Sequence, residues 1–406
     1  MTSFVKAVRM ICVSLVALCM QISNAAEAPP QGNLLIAGGA VRPDNTIIWE
    51  RLVQLAGGKG ARIAVMPSAA GNPERSGANL AATLNKYGAS AFVVPVAMRL
   101  KSPDYKVAAE DESLARSIRE AGGVYFAGGD QGRIIKALVR PDGTRTAVLQ
   151  AIWDVYNKGG VIGGSSAGAA IMSSTMYYEA ETVIGTLAAG VNDGRELIAG
   201  LGFVGTDVFV DQHLLARGRF ARMLPAMLKK NYKLGLGIDE NTAMVINAKR
   251  EVEIIGYQGA LLIDLNKATT NGDIKEFNLT NARISYLDRG DRYNLVTGQY
   301  TPSADKVDGK LDPAKPYLNE RVYTADILAH NMVLVMMEKL INNTSNEAIG
   351  IATAPPGEAG EDLGFEFKLT RDASSVGYES ASSDAYTILN VRLDVRPLKI
   401  TRPWYR

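Results

Sequence analysis

Five short runs in the first half of the chain are almost wholly apolar: Asn33–Ala37, Arg62–Met66, Ala91–Pro95, Gly123–Ala127 and Gly160–Gly163, each running into Gly, Pro or Ser. Between them, Ile47–Leu55, Ala78–Tyr87, Ser113–Ala121 and Arg145–Asn157 carry apolar residues at helical spacing. A strand with no polar face is covered on both sides, and helices that alternate with such strands supply the cover. The pattern predicts an α/β fold, a doubly wound and mostly parallel sheet with helices on both faces.

After Ser166 the rhythm loosens. Glu179–Gly200 is polar, Asp207–Val210 reads as a strand and Arg217–Leu228 as a helix, and a strand-rich section with Ala243–Ile246 and Val252–Ile255 follows. We expect the α/β domain to span residues 30–300. Thr301–Asn319, rich in Pro, Asp and Lys, reads as a linker or long loop. Residues 301–406 are expected to form an α+β C-terminal extension of unknown role, with a helix at Thr324–Leu340 and strands at Gly364–Leu369 and Ala385–Val395.

The first residues follow a different logic. Lys6 and Arg9 precede an apolar run, Met10–Leu18, and then the small residues around Ser23–Ala26. This reads as a cleavable signal peptide over residues 1–25, too short for a spanning helix of about 20 residues. The mature chain is expected to start near Ala26 or Glu27 and to be secreted or periplasmic. Cys12 and Cys19 both lie in that segment, so a disulfide framework, a thiolate metal site and a cysteine nucleophile are not expected. Losing Lys6 and Arg9 takes the 44 basic residues to 42, against 42 acidic ones. A formal charge near zero gives no general attraction to nucleic acid or anionic membrane, so neither is expected as a partner.

Against this background the stretch Ile162–Ala170, IGGSSAGAA, raises a choice. Small residues there allow close packing of a strand on a helix, but Gly164–Gly168 is also a G-x-S-x-G at a strand's end, the pattern of a nucleophile elbow on Ser166. A hydroxyl nucleophile needs a base, and the chain has only two histidines. His330 lies in an apolar segment, whereas His213 follows the strand-like Asp207–Val210 within Asp211-Gln212-His213. The acid that would orient the base is sought between the two, at Glu179, Glu181 and Asp193, and spacing does not choose among them. Ala127–Arg133 follows another strand and offers a backbone N–H of Gly128 or Gly129 opposite the serine, with Gln131 lining the site. Arg217, Arg219 and Arg222 trail His213 closely; a loop-to-helix arc around an anion and a solvated basic face are both open.

Taken in order, Gly128–Gln131, Gly164–Ala169, Gly200–Phe203, Asp211–His213 with its arginines, and Gly237–Glu240 resemble the cyanophycinase branch of the dipeptidase E-like serine peptidases. The resemblance covers roughly residues 33–260. It implies a fold related to class I glutamine amidotransferases and a Ser-His-acid exopeptidase acting on cyanophycin, an aspartate polymer bearing arginine on each side chain, with β-aspartyl-arginine as product. By matching positions it implies Ser166 as nucleophile and His213 as base, and it implies Gln131, Asp211, Gln212, Arg217, Arg219 and Arg222 as substrate-binding residues. The chemistry needs an oxyanion hole, expected from the N–H groups of Gly129 and Ala167. Glu181 is favoured as the acid, with Glu179 next. No metal or cofactor is expected, and a homodimer is left open. An exported peptidase for short aspartyl peptides and a non-catalytic exported binding protein are the competing readings.

Overall fold

The computed structural model describes residues 30–179, 182–357 and 360–401. The expected signal peptide therefore lies outside the described residues, as does Glu181. The first half folds as its apolar runs require. Strands β1 (Asn33–Ala37), β2 (Arg62–Met66), β3 (Ser90–Val93), β4 (Gly123–Phe126) and β5 (Val161–Ser165) lie parallel in the order β3-β2-β4-β5-β1. Alternate residues of β1 enter two separate cores, Leu34 and Ile36 on one face and Leu35 and Ala37 on the other, which is why the strand has no polar period. The covering helices include Thr46–Leu55, Pro73–Lys86 and Ala147–Asn157, whose first turns are capped by the side chains of Asn45, Asn72 and Thr146. Each such cap satisfies a backbone N–H that would otherwise be unpaired, a contribution of about 1 kcal/mol.

Beyond β5 the pairing is mostly antiparallel. A short hairpin, β6 (Thr175–Tyr177) with β7 (Leu197–Ala199), leads to β8 (Val208–Gln212), β9 (Leu234–Ile238), β10 (Thr242–Ile246) and β11 (Glu251–Gly256). Strand β10 pairs antiparallel with β1, and β11, β14 (Arg292–Asn294) and β15 (Tyr300–Thr301) extend that sheet to nine strands. The second sheet starts from β8 and β9 and continues through β12 (Ala260–Asp264) and β13 (Leu279–Leu287). Its far half is C-terminal: β16 (Val322–Thr324), β17 (Glu347–Thr353), β18 (Leu363–Thr370) and β20 (Tyr386–Lys399), with β19 (Val376–Glu379) paired to β20. Within this sheet β8–β9 and β16–β17 pair parallel.

Residues on either side of 300 thus share one sheet, and Gln31–Arg406 forms one compact unit. The stretch expected to be a linker is pinned instead. Lys306 is fully buried, with Nζ 2.9 Å from Asp288 Oδ2 and 3.6 Å from Asp291 Oδ1. Asp291 also accepts from the Ser303 N–H at 3.0 Å and the Tyr300 hydroxyl at 3.1 Å. A Pro, Asp and Lys-rich composition looks the same in a solvated linker and in a segment anchored by a buried ion pair. The expected helix at Thr324–Leu340 is shorter, Met332–Ile341: Asn331 takes a left-handed conformation with φ 59°, and the Ile327 N–H is committed to Ile351 O at 2.9 Å. His330 is accordingly exposed in a turn ahead of the helix rather than within it.

Candidate active site

Ser166 sits directly past β5, and its N–H donates to Ala37 O at 3.0 Å. Its backbone has φ 56° and ψ −109°, a conformation that costs a non-glycine residue about 1–3 kcal/mol and persists only where neighbours enforce it. The helical turn Ala167–Ala170 follows at once. Packing and elbow are not alternatives here. A Cβ on Gly164 would lie 2.4 Å from Gly168 O, and one on Gly168 would lie 2.6 Å from Phe126 O. The close approach of strand, turn and helix is what turns the serine outward.

His213 follows β8 with φ 51°, and its N–H donates to Gly38 O at 2.9 Å. The C-terminal end of β1, at Ala37 and Gly38, therefore tethers both candidate groups. Ser166 Oγ lies 2.8 Å from His213 Nε2, and His213 Nδ1 lies 2.6 Å from Glu240 Oε1. A neutral imidazole satisfies both contacts when Ser166 donates to Nε2 and the Nδ1–H donates to Glu240. Gly39, at φ 127°, lies against the ring, and a Cβ there would come within 2.1 Å of His213 Cε1. Burial pushes the pKa of His213 below its ordinary value, as do the cations Arg217 and Arg219, with the hydrogen bond and charge of Glu240 opposing them.

Among the described residues the carboxylate on His213 is thus Glu240, on the link between β9 and β10, and neither Glu179 nor Asp193. Glu179 is exposed and its N–H pairs with Arg195 O at 3.2 Å, while Asp193 pairs with Lys230 Nζ at 3.0 Å. Nothing in spacing pointed past His213. The available signal was that Gly237–Glu240 ends an apolar strand, the same placement that singled out Ser166 and His213. Gly38 and Gly39 carried a similar signal after β1 and were not singled out.

The expected substrate residues divide into two kinds. Asp211 and Arg222 are buried and bind each other through two hydrogen bonds, Nε to Oδ2 at 2.6 Å and Nη2 to Oδ1 at 2.7 Å. Burial pulls the Arg222 pKa down, but Asp211 more than compensates and leaves it raised. Its guanidinium also stacks over the Tyr177 ring at 4.3 Å, and the Tyr177 hydroxyl donates to Arg222 O. The two charges thus neutralise each other. Arg219 and Arg217 remain the available cations. Arg219 donates to Gln212 O at 3.0 Å, and burial beside Arg222 and Arg217 brings its pKa down to about 10. Arg217 is half-exposed, 3.9 Å from Glu240 Oε1. Gln131 opens the helix Gln131–Leu138 and donates to Tyr177 O at 2.7 Å. Gln212 is buried with its side-chain oxygen unpartnered, a polar atom that a bound group can satisfy.

A Cβ on Gly128 would stand 3.3 Å from Ser166 Cβ and 3.9 Å from its Oγ, so this loop faces the serine. Among the described residues, none accepts a hydrogen bond from the backbone N–H of Gly128, Gly129 or Ala167. Donors left open around a hydroxyl are what a developing oxyanion requires. Also among the described residues, no helix is long and apolar enough to cross a membrane.

With this geometry in place, the chain can be set beside known proteins. The model of peptidase family S51 matches residues 34–254. A cyanophycinase of Geminocystis herdmanii is 31% identical over 280 residues, which is 66% of this chain and 96% of that protein. One of Thermosynechococcus vestitus is 32% identical over 275 residues, covering 66% of this chain and 81% of its own. One of Trichormus variabilis is 26% identical over 290 residues, 69% of this chain and 91% of its own. A solved structure of a peptidase from an acI-B1 actinobacterium aligns with TM-score 0.48 and 18% identity over 66% of this chain and 99% of that one.

Proposed function

The chain belongs to peptidase family S51 and is a serine-type peptidase; on that premise we propose that it is an exported exopeptidase that releases β-aspartyl-arginine from cyanophycin. The observation that carries the mechanism is the continuous contact from Ser166 Oγ through His213 to Glu240. In this reading Ser166 attacks the carbonyl of an aspartyl-arginine unit and His213 Nε2 takes its proton. Glu240, in the place first given to Glu181, holds the Nδ1–H tautomer and stabilises the imidazolium. The N–H groups of Gly129 and Ala167, with Gly128 beside them, receive the oxyanion. His213 then returns the proton to the leaving amine, and water activated by the same imidazole releases the acyl group.

Two features support the substrate. The relatives named above are cyanophycinases. Each repeat of the polymer bears a free carboxylate, which Arg217 and Arg219 suit, and a guanidinium, which a carboxylate or a carbonyl such as that of Gln212 suits. The export proposed here agrees with that substrate, since an insoluble polymer cannot enter a cell and a scavenger has to digest it outside.

The deciding experiment incubates the purified protein with cyanophycin granules and with short aspartyl peptides, and follows products by mass spectrometry. Release of β-aspartyl-arginine from the granules supports the reading, and cleavage of the short peptides alone overturns it. Export is checked by fractionating cells that express the chain with and without residues 1–25; retention in the cytoplasm of both forms removes that part.

A further inference from the structure

We propose that the C-terminal segment Ile327–Asn331 is a positioning element of the active site: it holds the loop after His213 in the shape that aims Arg217 and Arg219 at substrate. The role assigned to the arginines rests on the peptidase reading above, but the contact itself does not. Residues 327–331 lie beyond the part of the chain that the S51 model matches, which ends at 254, so they would be an addition of this chain to the family's machinery.

The loop 214–219 is buried at its start, where Leu214 and Leu215 enter the core and the Leu214 N–H donates to Ile238 O at 3.3 Å, while its arginine-bearing part is more exposed. Its start is turned by His213 at φ 51°, and Gly218 near its end takes φ 57°. Within the loop, the Arg219 N–H donates to Leu214 O at 2.8 Å and the Arg217 N–H to His213 O at 3.2 Å. The remaining support comes from two directions. From the acid turn, Asp239 Oδ1 accepts the Ala216 N–H at 3.1 Å. From the C-terminal segment, the Asn331 N–H donates to Leu215 O at 3.0 Å. The Leu328 backbone also presses on Gly218, where a Cβ would meet Leu328 O at 2.4 Å and Leu328 Cα at 2.8 Å. That contact is backbone on backbone, so no rotamer change relieves it.

The segment is in turn fixed to the second sheet. Ile327 is fully buried, its N–H donates to Ile351 O at 2.9 Å in β17, and its side chain fills the space over Gly350, where a Cβ would come within 2.6 Å. A rigid path therefore runs from β17 through Ile327 and Leu328 to Gly218, with Arg217 and Arg219 on either side. Phe220, next in the chain, reinforces it by packing on Phe367 of β18 at 5.6 Å between ring centres. Ser166 and His213 have anchors of their own at the end of β1, through Ala37 O and Gly38 O, and Glu240 lies on the β9–β10 link. Loosening the path should disturb recognition and leave the hydroxyl's reactivity intact.

The test uses two variants of the full chain, Ile327→Ala from the C-terminal side and Gly218→Ala from the loop side, each checked for an intact fold by its melting transition. Amide hydrogen exchange is followed at 214–219, with KM and kcat measured on cyanophycin and the rate of Ser166 labelling by a fluorophosphonate. We expect exchange at 214–219 to quicken selectively and KM to rise about tenfold, the loss of one charge-assisted contact. Labelling should stay within about threefold of wild type, because the reacting groups are untouched. Unchanged exchange at 214–219 in both folded variants overturns the inference, as does a parallel fall of labelling and hydrolysis. A wild-type protein that is neither labelled nor active overturns the peptidase reading instead, and the exchange data still decide the contact.

Discussion

The two sheets contribute to the site in different ways. The first supplies Ser166 at the end of β5, in a strand, turn and helix that are consecutive in sequence. The second supplies His213 after β8, and the link from β9 into β10, which crosses from one sheet to the other, supplies Glu240. One half is a local motif; the other is a second sheet whose strands β8, β9, β12 and β13 pair with one another and are extended by the tail of the chain. The halves are tied at the end of β1, through Ser166 N–H to Ala37 O and His213 N–H to Gly38 O. A reactive serine of this kind is a property of the junction.

The largest effects should come from removing one sheet's contribution. Ser166→Ala and His213→Ala are each expected to lower kcat by about 10⁶-fold, and the double variant to be no worse, as groups acting as one unit are grossly non-additive. Steady-state rates on released dipeptide measure this. A double variant whose losses multiply would mean that the two halves act separately. Next comes the acid. Glu240→Gln keeps the shape but no longer fixes the imidazole tautomer or its charge, and should cost about 10⁴-fold in kcat, whereas Glu181→Gln should leave kcat within about threefold. The reverse ranking would return the role to Glu181.

Within the second half, Asp211 and Arg222 are read as a structural pair, although the family resemblance places both in the substrate pocket. Arg222→Met leaves Asp211 buried and unpaired and should destabilise the fold by about 3–5 kcal/mol, measured by urea unfolding. Replacing both by apolar residues should cost much less. If Arg222→Met instead leaves stability unchanged and raises KM, the pair faces substrate.

These contrasts also explain what could be read from the sequence. The parallel strands at 33–37, 62–66 and 123–126 were legible because burial on both faces removes every polar position, and Ser166 because an elbow needs its glycines within two residues on each side. In the second half the strands at 243–246, 252–255, 364–369 and 385–395 were legible too, but their pairing was not, since β13 finds β20 more than a hundred residues away and no local pattern encodes that partner. Glu240 was hidden for the same reason. Its role depends on β9 and β10 belonging to different sheets, a fact of tertiary pairing. Lys306 shows the complementary failure: its exposed-looking neighbours mask a side chain that is fully buried against Asp288 and Asp291.

The smallest effect is in pH dependence, and it probes how the arginine loop of the second half acts on its own base. Burial lowers the pKa of His213 first, and Arg217 and Arg219 lower it further against the pull of Glu240. The neutral imidazole is the active base, so a depressed pKa keeps it competent to lower pH. The acid limb of the rate of Ser166 labelling should then have its midpoint below the ordinary histidine value of about 6.5. Arg217→Ala removes one cation and should move that limb toward higher pH. A neutral fluorophosphonate is the suitable probe, because a substrate that itself binds Arg217 would confound recognition with protonation. Arg217 is half-exposed, so the displacement should shrink in 1 M salt, where screening acts over about 3 Å. A limb that stays in place, or moves to lower pH, would mean that Arg217 does not act on the base.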